Sequence, residues 1–189
     1  MANGKWRHLP PYNRGVNRAL AAALSGAAVV WGLLILLAPV AIHPSTSLGV
    51  TLSLSKGHAH TFPGPVAAAV TYGQAARICH QRSERSFRIA GNQMPVCARC
   101  AALYLSFAVA ALAVWGFPPQ RVRYSVRRVL FIAAVPTAVT WLLEHLLGVP
   151  MSNIVRAVAA LPLGASAGWL LLGMLRYDSR LDGEQILYS

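Results

Sequence analysis

Ala19 to Ile42 is a run of 24 residues without a charge, and it constrains the fold more than any other feature of the chain. As an α-helix rising 1.5 Å per residue it reaches roughly 36 Å, enough to cross a hydrocarbon core of roughly 30 Å. Eighteen mostly polar residues precede it, including Lys5, Arg7, Arg14 and Arg18. A cleaved signal peptide carries an apolar core of only about 7–15 residues, so the run is read as an uncleaved first span.

Three further runs have the same character. Val96–Phe117 carries only Arg99 and is stopped by Pro118-Pro119, because proline cannot continue a helix. Val129–Val149 contains Glu144 and His145 and is closed by Pro150. Ile154–Leu175 carries only Arg156, and its Ala160, Gly164 and Gly168 stand at i, i+4, i+8, a small-residue stripe suited to close helix contact. The expected fold is an all-α integral membrane protein of four transmembrane helices, about 19–42, 96–117, 129–149 and 154–175. A further apolar stretch, Pro65–Cys79, is broken by Gln74 and Arg77 and is expected as an interfacial helix in the long first loop. Residues 1–18 form a basic tail, 19–175 a single membrane domain, 43–95 its extramembrane loop and 176–189 a C-terminal tail.

Composition agrees. Of 189 residues, 56% are apolar and 12% charged, against about 25% charged in soluble domains, and mean hydropathy is +0.49. Seventeen Lys and Arg against five Asp and Glu give +12. The basic residues are dispersed among membrane flanks rather than lining one groove, which argues against nucleic-acid binding. Four spans put both termini on one side with ten basic residues, against five in the loop holding Arg77 to Arg88. The positive-inside rule then predicts cytoplasmic termini in a multi-pass protein of the cell membrane, with the loop exoplasmic.

All three cysteines fall within 22 positions of that loop and the second span's start: Cys79-His80-Gln81, then Cys97-Ala98-Arg99-Cys100. Two thiols separated by two residues are half of a tetrahedral zinc site, and Cys79 with His80 would complete a Cys3His set. Redox motifs share the Cys-x-x-Cys spacing. Haem attachment would need a histidine after Cys100, and an all-thiolate iron–sulfur cluster a fourth cysteine. Arg85 and Arg99 are positioned to stabilise thiolates or another anion. His43, His58 and His60 add further nitrogen donors on the same side.

The third span runs back toward the cysteine face. Thr137, Thr140, Glu144 and Gly148 form one polar or small stripe, and an ionisable residue inside a span is a functional candidate. Glu144, His145 and Arg156 are therefore the candidates for chemistry, with Arg156 as the expected ion-pair partner of Glu144.

Cys79-His80-Gln81, Arg85-Ser86-Phe87, Gly91 and Pro95-Val96-Cys97-Ala98-Arg99-Cys100 with Tyr104 resemble a prokaryotic family of small polytopic membrane proteins catalogued as a domain of unknown function. The resemblance covers roughly Gln74 to Gly168 and includes Ser152-Asn153…Arg156. The chain departs from the family pattern at Ala101-Ala102, at Thr140-Trp141 and at Glu144. The resemblance implies a membrane protein with this cysteine site, and no activity.

Three functions compete at this level. One is a divalent-metal protein, zinc favoured over iron, with Cys79, His80, Cys97 and Cys100 as ligands. Another is a thiol–disulfide oxidoreductase, quinone-coupled in one form, in which Cys97 and Cys100 cycle and Cys79 relays. The third is a non-enzymatic scaffold, gripping lipid phosphates with its basic loop or serving as a subunit of a homo-oligomer or membrane complex. The lipid bilayer is a partner in all three.

Overall fold

The structure is a computed structural model that describes residues 14–41, 49–53, 59–63, 66–117 and 126–184, with side chains over 16–41, 66–117 and 126–176. Five helices dominate: α1 (Arg14–Ala41), α2 (Val66–Ile78), α3 (Ala98–Gly116), α4 (Val126–Leu146) and α5 (Asn153–Glu184). All but α2 are long and apolar enough to cross a membrane. At thirteen residues α2 reaches only about 20 Å, short of a span.

Helix α3 is the centre of the bundle, packed between α1 and α5, while α4 leans on α5. The small-residue stripe explains the α3–α5 contact. A Cβ at Gly164 would strike Ser106 Oγ and the Leu103 carbonyl and lie 2.9 Å from Leu103 Cα. At Gly168 it would come within 2.6 Å of the Phe107 carbonyl oxygen. Ala160, one turn earlier, is fully buried. Only residues this small let two backbones touch, and without water the contact is held by van der Waals packing rather than by hydrophobic burial. Polar ties reinforce the α1–α3 face, where Trp115 Nε1 donates to Ser25 Oγ at 3.0 Å and Trp31 meets Tyr104 edge-on at 6.0 Å.

Helix α4 is the peripheral span. Phe131, Ile132, Val135, Val139, Leu142 and Leu146 are exposed along it, as expected of a face turned to lipid tails. Its polar stripe turns the other way, and Thr137 Oγ1 donates to the Ala159 carbonyl of α5 at 2.8 Å.

Among its described residues the first loop holds strands that an all-helical reading does not anticipate. It carries two small antiparallel pairs, β1 (Gly49–Ser53) with β2 (Ala59–Pro63), and β3 (Arg88–Ile89) with β4 (Asn92–Gln93). Ala90 and Gly91, at φ 51° and 80°, make the two-residue turn of the second pair, the left-handed geometry that suits a tight hairpin. Asn92 Nδ2 donates to the Pro39 carbonyl in α1 at 2.8 Å, which pins this hairpin to the end of the first span.

Candidate functional site

The site is assembled from the end of α2, the loop after it, the end of α4 and the starts of α3 and α5. Helix α2 ends at Ile78, and Cys79 N still donates to the Ala75 carbonyl at 2.9 Å, so Cys79 leaves the helix in a defined direction. Gln81 follows with φ 48°. Its side-chain amide donates to the Tyr72 carbonyl at 3.0 Å and to the Pro95 carbonyl at 2.8 Å. Gln93 Nε2 donates in turn to the Gln81 carbonyl at 2.7 Å, and the Tyr72 hydroxyl donates to the Gln93 carbonyl. Burial pushes the Tyr72 hydroxyl up to about 12, so it stays a donor. These amide bonds fasten Cys79-His80-Gln81 against Pro95-Val96-Cys97.

Cys97 is the N-cap residue of α3, in extended conformation, and Cys100 lies in the first turn. The i, i+3 spacing puts both on one face of the helix start. The sulfurs of Cys79, Cys97 and Cys100 lie within 4.8 Å of one another, and all three cysteines are free. Cys97 N donates to Cys79 Sγ at 3.1 Å. Hydrogen bonds from the Cys100 and Cys97 thiols hold Cys79 well below the usual thiol range, outweighing its burial. A tetrahedral zinc with Zn–S bonds of about 2.3 Å spaces its sulfurs roughly 3.8 Å apart, so this cluster could hold a metal ion. His80 lines the same cavity but is exposed, and its ring is not part of the group of converging ligand atoms. His43 and His58 lie outside the described residues, as does the side chain of His60.

Beside the sulfurs is an ion cluster larger than the pair expected from sequence. Arg156 Nη2 donates to Glu144 Oε1 at 2.7 Å and its Nε to Oε2 at 3.4 Å, the pair foreseen between spans three and four. Arg99 Nη2 adds a 2.8 Å bond to Oε2, and Arg85 Nη2 lies 3.2 Å from Oε1. Glu144 is thus held by three guanidinium groups, with its side chain only 7% exposed. Asn153 positions one of them, its Oδ1 accepting from Arg156 Nη1 at 2.7 Å while its Nδ2 donates to the Ser86 carbonyl. His145 stacks on Trp141 at 4.5 Å with its Nδ1 3.0 Å from the Trp141 carbonyl oxygen, outside the ion cluster.

A family model described as "Predicted membrane protein (DUF2085)" matches residues 79–170, from the first cysteine of the site to the middle of α5. An "Uncharacterized protein" of Methanothermobacter thermautotrophicus is 30% identical over 89 residues, covering 46% of this chain and 78% of the relative. The chain belongs to this family. The match begins at Cys79 and holds every cysteine together with Arg85, Arg99, Glu144 and Arg156, so the DUF2085 region coincides with the part of the fold that builds the site. No solved structure matches.

Sequence reasoning assigned no role to Gln81 and Gln93, which join the two cysteine segments. An amide side chain directly after Cys-His, and another ahead of Pro95, were the available signals. Neither distinguishes a scaffold amide from a solvated one until the chain's path is known.

Proposed function

We propose that this DUF2085 protein is a multi-pass membrane protein that binds a divalent ion, zinc in preference to iron, at one membrane face through Cys79, Cys97 and Cys100. The single observation that carries this reading is the convergence of the three sulfurs from two segments of chain. Soft thiolates select zinc or iron over magnesium and calcium. Three thiolates on a divalent ion leave a net charge of −1, which Arg99, within the Cys-x-x-Cys motif, is suited to offset. When bound, such an ion supplies either a structural tie or a Lewis-acid centre. His80, on the cavity wall, is the protein donor nearest in sequence for a fourth position.

Metal analysis of freshly purified, reduced protein tests this. Close to one equivalent of zinc is expected, and less than about 0.2 equivalents would overturn the proposal. A thiol–disulfide function is the second reading, favoured by the partial exposure of Cys97 and Cys100. It predicts metal-free protein whose Cys97 and Cys100 are trapped as a disulfide and released by reductant, so the same preparation discriminates the two.

The orientation proposed is cytoplasmic termini with the cysteine face exoplasmic, on the strength of ten flanking basic residues against five. A single added cysteine, Ser189→Cys, in a chain otherwise free of cysteine should resist impermeant maleimide on intact cells and react after permeabilisation. Labelling from outside would reverse the assignment.

A further inference from the structure

We infer that the cavity between the cysteine cluster and the ion cluster is a binding site for a phosphate group. Its volume is about 270 Å³, and among the described residues its wall includes Arg82, Arg85, Arg99 and Arg156 but no carboxylate. Glu144 is the carboxylate that Arg85, Arg99 and Arg156 share, and it is not among the lining residues. These three arginines therefore pair with Glu144 and also border the cavity.

Charge and hydrogen-bond inventories point the same way. Arg85, Arg99 and Arg156 against Glu144 leave two positive charges in a group whose side chains are 27%, 12%, 9% and 7% exposed. Partly buried charge of one sign is expensive unless a counter-charge completes it. Arg99 Nε is buried and makes no hydrogen bond among the described residues, an orphan donor of the kind a bound ligand or water satisfies. The planar fork of a guanidinium matches an oxyanion in two places at once, and a phosphate supplies negative charge to offset this excess. The cavity is smaller than sites for drug-sized ligands, typically about 300–1,000 Å³, which suits a small anion or one headgroup. Because the cavity lies where α3, α4 and α5 begin or end, its phosphate could come from solution or from a lipid headgroup. The inference goes beyond the metal and does not require it.

Full-length protein stripped of lipid in detergent is dialysed against radiolabelled inorganic phosphate. In parallel, nanodiscs of phosphatidylcholine with and without phosphatidic acid are compared by thermal unfolding and by displacement of the label. Saturable binding in either arm supports the proposal, and the arm that responds identifies the source. Arg85→Gln removes the most exposed guanidinium of the three while leaving Glu144 with Arg99 and Arg156, and should weaken binding by about tenfold or more. Arg85→Lys should recover part of that loss. If Arg85→Gln does not fold, Arg82→Gln, at a side chain 58% exposed, should still weaken binding by a smaller factor. Binding retained in Cys97→Ser protein, whose sulfur cluster is broken, supports the arginine cavity as host. Binding that vanishes with the metal yet survives Arg85→Gln would put the anion on the metal and overturn the proposal. So would the lack of saturable binding in both arms.

Discussion

Glu144→Gln should be among the most damaging single changes in the chain, lowering stability in detergent by about 3–5 kcal/mol. Among the described residues the carboxylate is the one negative group meeting Arg85, Arg99 and Arg156, so its loss leaves three positive charges together in a poorly hydrated place. Removing an arginine should cost less, about 1–3 kcal/mol, because Glu144 keeps two partners. Thermal or chemical unfolding of the purified variants measures the ranking. A simple pair would behave differently, since Glu144→Arg with Arg156→Glu would restore it. Here the swap would set a third guanidinium, on α4, against Arg85 and Arg99, and no rescue is expected. Equal losses for Glu144→Gln and Arg156→Gln, with recovery in the swap, would reduce the cluster to a pair.

The second large effect concerns the sulfurs. Cys79→Ser, Cys97→Ser or Cys100→Ser should each weaken metal binding by more than about 100-fold, beyond the 10–100-fold typical of residues that only support ligands. His80→Ala should reduce it by less than about tenfold, below even the 10–100-fold range of a supporting group. A Cys3His set would make the histidine nearly as costly as a cysteine. The expected weight moves to the thiolates because three sulfurs converge while the exposed His80 ring stands apart from them. Competition with a zinc-chelating dye ranks the four variants. A loss for His80→Ala equal to that for Cys97→Ser would show that the imidazole turns in to close the site.

Much of this was legible in the residues, for physical reasons. Spans announce themselves because the bilayer demands uninterrupted apolar length, and the 24-residue run from Ala19 lies almost wholly inside α1. The stripe of Ala160, Gly164 and Gly168 was readable because close backbone approach needs small residues at helical spacing. The meeting of Glu144 with Arg156 followed from span counting, since the end of one helix and the start of the next share a depth. Arg85 and Arg99 joining the same carboxylate did not follow. Arg99 is directed by where α3 begins, and Arg85 by a 3-10 turn over Ser83–Arg85. The second hairpin was equally hidden, because strands of two residues such as Arg88–Ile89 are too short for any alternation to register.

The ion cluster has a consequence for how the molecule comes into being. A ribosome delivers the chain from its N-terminus, so Arg85 and Arg99 exist before Glu144, which lies 45 residues beyond Arg99. Arg156 follows 12 residues after the carboxylate. Until the third span arrives, the first two arginines have no Glu144 to meet, whether or not the three cysteines have already found one another. Completion of the site is therefore tied to insertion of the peripheral helix. A nascent chain halted before residue 144 would hold every thiol of the cluster and lack the charge that reconciles its neighbours.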